Sequence, residues 1–119
     1  MIVSLAALAD AANVSKENKL NLTGIYDTIH VTGRVPYIHD RLVFAFQFRA
    51  EYEDANRSFD ISVELIDTDS RPLWNATGHV TTGAGRPGVF AHLPQIVDIR
   101  GVRFDAEGRY RFRIRIDGG

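Results

Sequence analysis

The most regular hydrophobic pattern lies near the end of the chain, where Tyr110, Phe112, Ile114 and Ile116 alternate without a break with Arg109, Arg111, Arg113 and Arg115. Successive side chains of a strand point to opposite faces, so residues 109–116 predict a half-buried strand with one apolar face and one guanidinium face. Six further apolar segments precede it, at 2–9, 20–31, 42–52, 59–66, 73–82 and 96–104. The third places Leu42, Phe44, Phe46, Phe48, Ala50 and Tyr52 on one face, and the fourth sets Phe59, Ile61, Val63 and Leu65 against Asp60, Ser62 and Glu64. In the second, Gly24 shifts the alternation, as a glycine at a β-bulge does. Val43 and Ala45, opposite Phe44 and Phe46, imply that the second face of that strand is also partly covered.

The connectors carry turn chemistry. Residues 13–19 are polar, 53–57 form a charged turn with Asn56, and 67–72 supply Asp, Ser and Pro where tight turns use them. Residues 105–108 reverse the chain into the last strand. Two connectors, 32–41 and 83–95, are longer, and loops of that length are more often functional than simple turns. Short alternating strands separated by turn signals predict one antiparallel β-sandwich of about seven strands filling 1–119, immunoglobulin-like or C2-like, with no amphipathic helix. Its core is expected to include Leu22, Ile25, Phe44, Phe46, Phe48, Phe59, Ile61, Val63, Leu65 and the four apolar residues of the last strand. If the strands alternate up and down, loops 32–41, 67–72 and 105–108 gather at one end, and 10–19, 53–57 and 83–95 at the other.

Composition narrows the function classes. A net charge of −1 over 119 residues gives no reason to expect nucleic acid. The absence of cysteine removes disulfides and thiolate metal sites and suits a reducing, cytoplasmic location. Residues 1–9 are apolar, but no basic stretch precedes them and Asp10 ends them, so they read as a strand and not as a secretory leader. No apolar run approaches the roughly 20 residues that cross a bilayer as a helix.

Several residue groups suggest chemistry, each with a plainer explanation. Arg109, Arg111, Arg113 and Arg115 span roughly 20 Å on one strand face, close to the spacing of phosphates on an extended chain. No aromatic residues interleave with them, and the plainer account is a solvated face or pairing across the sheet with Asp60 and Glu64. Asp67 and Asp69, with Asp105 and Glu107, place carboxylates at one end, as calcium-binding sandwich loops do, although both residues of the first pair also suit a hairpin turn. Arg34, Tyr37 and His39 fall in the 32–41 connector and join this end. His30, His39, His79 and His92 show no metal-box spacing, with His39 and His92 expected in loops and His79 in a strand. No nucleophile elbow occurs, and no helix follows the glycines at 83, 85 and 88 to cradle a phosphate. Trp74 sits where a tryptophan covers a sandwich core or, in the alternative, stacks on a sugar. The residue types therefore point to no enzyme, no cofactor and no metal.

Two stretches carry a family resemblance: Leu8-Ala-Asp10-Ala-Ala-Asn13 followed by Lys19-Leu-Asn-Leu-Thr-Gly24-Ile-Tyr-Asp27, and Phe104-x-x-x-Gly108-x-Tyr110-x-Phe112. Together they resemble a family of small bacterial β-sandwich proteins, a domain of unknown function. Asn18 stands where that pattern has glycine, and asparagine tolerates the left-handed backbone such a turn needs. The motifs are structural and bring no catalytic residue with them. The expected function is a non-catalytic protein-interaction or self-assembly module, using an open sheet edge to engage a protein partner or a second copy. The alternative is a sandwich that binds calcium, carbohydrate or an anion through loops 32–41 and 67–72.

Overall fold

A computed structural model describes residues 1–29 and 35–118. It contains seven strands: β1 (Ile2–Val14), β2 (Leu20–Tyr26), β3 (Tyr37–Ala50), β4 (Ser58–Ile66), β5 (Pro72–Thr81), β6 (Ala91–Phe104) and β7 (Arg111–Ile116), with one 3₁₀ turn at Tyr52–Asp54. They form two antiparallel sheets, β2-β1-β3-β6 and β5-β4-β7. The architecture is the seven-stranded antiparallel sandwich that the alternation implies. Its strand order differs from the A-B-E-D and C-F-G arrangement of an immunoglobulin constant domain, so that likeness stops at the architecture. Among the described residues, no helix is long and apolar enough to cross a membrane.

The two sheets meet through the faces that the two-residue period marks. Phe44, Phe46 and Phe48 of β3 pack with Phe59, Ile61 and Val63 of β4, while Leu42, Leu65, Ile99, Val102 and Phe104 form a second cluster beside them. β7 joins both: the Phe112 ring stacks on Phe44 at 4.1 Å between centroids, and Ile114 and Ile116 lie against the first cluster. Each fully buried large side chain contributes about 2–3 kcal/mol of transfer free energy.

Some boundaries move. β3 begins at Tyr37, so half of the expected 32–41 loop is strand, and β6 begins at Ala91, which shortens the 83–95 loop. β7 begins at Arg111, leaving Arg109 in the preceding loop. Tyr52 does not continue the buried face of β3 and is 50% exposed, because the chain turns there. The Asp54 carboxylate accepts the Glu51 N–H at 2.9 Å and the Asp54 N–H bonds to the Glu51 carbonyl at 3.0 Å, closing that turn. Ile25, expected in the core, is 67% exposed.

β1 explains the Ile25 result and the covered second face. Its start lies where β3 ends, since Ile2 pairs with Arg49 and the Met1 ammonium lies 3.0 Å from Asp54 Oδ2. The β1–β2 turn returns to the same end: Asn18 Nδ2 donates to the His92 carbonyl at 2.7 Å, and His92 pairs with Arg49. A straight strand of 13 residues would carry the turn roughly 40 Å away, so β1 doubles back on itself. The bend falls at Asp10. Residues before Leu8 pair with β3 alone, residues after Ala9 pair with β2 alone, and Gly24 stands opposite Asp10 with φ 69°. A side chain at Gly24 would run into the Asp10 carboxylate. The returning hairpin lies over the outer face of β3, which is why Val43 and Ala45 are 1% and 0% exposed although they point away from the sandwich core. Burial, with the Asp10 charge second, pushes the Tyr26 phenol above its ordinary pKa at the same bend.

Candidate functional site

The arginine row does not form one surface. β7 is an edge strand paired only to β4, and its register puts Arg113 opposite Glu64, Arg115 opposite Ser62 and Arg111 opposite Ile66. Arg113 Nη2 lies 3.1 Å from Glu64 Oε2 and Arg115 Nε 4.0 Å from Glu64 Oε1. One half-buried carboxylate thus holds two of the guanidinium groups. Asp60 does not join them: its carboxylate meets His79 Nδ1 at 2.7 Å across the other side of β4. Arg111 is exposed and makes no ion pair among the described residues, and Arg109 belongs to the loop before the strand.

At one end of the sandwich the turn at 67–71 and the loop at 105–110 face each other across a cleft of about 710 Å³, with the end of β6 as its floor. A second hollow of about 680 Å³ opens between the sheets on the far side of the same loop, against Leu8, Ile29, Val35, Leu42 and Phe112. The loop sorting from strand parity is therefore correct for the described residues at this end. Tyr110 pins the loop, its hydroxyl donating to the Ala106 carbonyl and its ring meeting Phe104 edge-on at 4.8 Å.

The chemistry of the cleft is balanced. Arg71, Arg100, Arg103 and Arg109 line it, and so do Asp67, Asp69, Asp105 and Glu107. Arg103 Nε is held by Asp105 at 2.6 Å, and Arg100 Nε by Asp98 at 3.2 Å. Hydrogen bonds from Arg41, then from Arg100, hold the Asp98 carboxyl below its ordinary range. Asp67 is committed to its turn, with Oδ1 accepting the Asp69 N–H at 2.9 Å and the Arg71 N–H at 2.8 Å. Among the described residues no three histidine or carboxylate groups gather as a metal site.

Of the other expected site residues, Arg34 and the neighbouring His30 lie outside the described residues. Tyr37 and His39 stand on β3 instead of in a loop, and they meet each other, with Tyr37 Oη 3.1 Å from His39 Nδ1. Neither reaches the cleft. Trp74 lies at the cleft edge, half-buried against both core clusters.

The opposite end is closed by structural contacts. The Glu51 N–H bond comes first, and the Met1 ammonium second, in holding the Asp54 carboxyl below its ordinary pKa, against the opposing effect of burial. Buried Thr82 accepts the Arg57 N–H at 3.0 Å and donates to the Asp54 carbonyl, and the Asn56 N–H reaches Gly83 O at 3.0 Å. The Arg49 guanidinium lies over Phe90 at 4.6 Å. Of the expected 10–19 loop, residues 15–19 come to this end as the parity sorting has it, whereas residues 10–14 are strand and Asp10 stands at the bend away from it.

Sequence reasoning missed the first half of β1 as a surface. Ile2, Val3, Ser4, Leu5 and Ala6 are all exposed, five consecutive residues with no inside and no outside. β3 pairs with one edge of this segment, and among the described residues no strand pairs with the other, because β2 joins from Leu8 onwards. The signal was present: residues 2–9 carry no charged side chain, and Ser4 is their one polar residue. Other open edges are protected. β6 carries Pro94, Asp98, Arg100 and Arg103, β7 carries its arginines, β5 has Pro72 and exposes Asn75, Thr77 and His79, and β2 is broken by Gly24. At residues 2–7 only the irregular register between Val3 and Leu5 interrupts the edge, with the Ser4 hydroxyl donating to Gln47 O at 3.2 Å.

Residues 4–119 match the family model described as a family of unknown function (DUF6941). No curated protein and no solved structure matches the chain.

Proposed function

We propose that this chain, which belongs to DUF6941, a family of unknown function, serves as a non-catalytic protein-interaction module whose contact surface is the open edge of β1. One observation carries the reading. Residues 2–6 expose aliphatic side chains on both faces of a strand whose outer backbone groups have no strand partner among the described residues. An edge of that kind accepts a further strand: main-chain hydrogen bonds supply affinity and the flanking side chains bury apolar area. The reading requires no cofactor, and a chain without cysteine suits a cytoplasmic setting.

The test is whether the edge takes up a strand. A peptide carrying residues 2–9 between solubilising lysines is titrated into the protein while backbone amide exchange is followed. Slowed exchange confined to residues 2–7 supports the reading. Unchanged exchange up to millimolar peptide overturns it.

A second reading, a ligand-binding sandwich, is favoured by the cleft at 67–71 and 105–110, whose volume is that of a small-molecule site. It requires the melting temperature to rise with calcium, a sugar or phosphate. A melting curve that stays fixed across that panel removes it.

A further inference from the structure

We infer that the strand received by the β1 edge is the same segment of a second copy, so that two chains join edge to edge about a two-fold axis through residues 2–7. This rests on the interaction reading above and names its partner. Antiparallel pairing of a segment with itself about a two-fold axis sets residue i opposite residue j and j opposite i, with one residue facing its own copy on the axis, so an edge that carries a single sign of charge meets its like. On β7 that arrangement would oppose Arg111, Arg113 and Arg115 to one another, and on β6 it would draw Asp98, Arg100 and Arg103 into the seam beside Pro94, which has no N–H to give. From Ile2 to Ala9 there is no charged side chain, and the nearby Met1 ammonium is neutralised by Asp54 at 3.0 Å. β2, β5 and residues 11–14 of β1 also lack Asp, Glu, Lys and Arg, but Gly24 breaks β2, β5 exposes Asn75, Thr77 and His79, and Asp10 and Asn13 interrupt the second half of β1, so the first half of β1 is the uncharged open edge on which self-pairing gains aliphatic contacts on both faces.

The exposed side chains fit the same arrangement. Ile2, Val3 and Leu5 are 49%, 37% and 45% exposed, and Ala6 is exposed beside them, so a paired strand covers apolar surface on both faces of the sheet. Cross-strand aliphatic pairs of this kind contribute favourably wherever they form. The union joins two four-stranded sheets into one continuous sheet and uses up the edge in both copies, so it closes at the dimer and does not propagate. The irregularity at Ser4 keeps the paired run short, which makes the dimer dissociable and not obligate.

Three measurements test the inference. Sedimentation equilibrium should show the mass rising with concentration from 13.3 kDa towards twice that value. Leu5→Lys, at an exposed position, should raise the dissociation constant at least tenfold while leaving circular dichroism and the melting curve of the monomer unchanged. Because the chain has no cysteine, single substitutions Val3→Cys, Ser4→Cys, Leu5→Cys and Ala6→Cys report the register. Oxidation should cross-link one position strongly, the residue on the axis, because disulfides need Cα atoms roughly 4.4–6.8 Å apart. Thr77→Cys on β5 and Arg111→Cys on β7 should stay uncross-linked. A constant monomer mass, or a dimer that survives Leu5→Lys and cross-links through β5 or β7, overturns the inference. A monomer whose residues 2–7 are still protected by the strand peptide overturns the second-copy partner and keeps the interaction reading. Failure of both experiments removes both.

Discussion

β7 and the first half of β1 each run along an open sheet edge, one on each sheet. β7 keeps strict alternation. Its apolar side chains enter the core, and its outer face carries arginines, two of them tied to Glu64 on the neighbouring strand. The first half of β1 has no alternation, and residues 2–6 are exposed on both faces. A charged edge resists a second strand because pairing would desolvate its guanidinium groups or oppose them to one another. An aliphatic edge gains by the same event. The two edges thus separate a boundary that ends a fold from a boundary that invites a partner, and no catalytic constellation is needed to make the distinction.

The largest effect expected from breaking this contrast is on the core side of β7. Phe112→Ala removes a ring stacked on Phe44 and should cost about 3–5 kcal/mol in urea unfolding. A loss below about 1 kcal/mol would mean that the apolar face of β7 is not part of the core. Next comes the bend that leaves the β1 edge open. Gly24→Ala forces a side chain into a left-handed backbone and against Asp10, and should cost roughly 2 kcal/mol. It should also speed amide exchange at Val43 and Ala45, whose cover is loosened, and unchanged exchange there would separate the hairpin from that face.

Smaller changes sharpen the comparison. Glu64→Ala leaves the partly buried Arg113 without its carboxylate and should cost about 1–2 kcal/mol. The loss should nearly vanish in a background that already carries Arg113→Met, as a double-mutant cycle would show. Asp54→Asn should cost about 1 kcal/mol by weakening the turn after β3. Its pH dependence has a defined sign. The folded carboxyl is held below its unfolded pKa, so its stabilisation is complete above the ordinary carboxylate range and is lost as pH falls through the depressed value. The asparagine variant should therefore show a flatter acid limb than the natural protein. Smallest of all is Leu5→Lys, expected within about 0.5 kcal/mol of the natural monomer because the side chain is already exposed. A large loss there would show that the β1 edge is covered within the chain.

Much of this molecule is legible without coordinates because strand periodicity is a local property. Phe44, Phe46 and Phe48 announce their buried face within five residues, Asp67 announces its turn, and Gly24 announces its irregular backbone. Ile25 and Tyr52 were misplaced for a shared reason: alternation was carried through a point where the chain changes direction. Asp60 and Glu64 looked equivalent on one face of β4, and only the registers with β5 and β7 sent one to His79 and the other to Arg113 and Arg115.

The linear order of residues determined the all-β class, the inward faces of β3, β4 and β7, the turn-forming roles of the polar connectors, and the uncharged character of residues 2–9. Tertiary structure alone decided that β1 folds back at Asp10, that β2 leaves the outer edge of the first half of β1 without a strand among the described residues, and that the hairpin covers Val43 and Ala45. The physical reason lies in range. Which way a side chain points depends on its own backbone and immediate neighbours. Which edge stays open depends on hydrogen bonds between segments far apart in the chain.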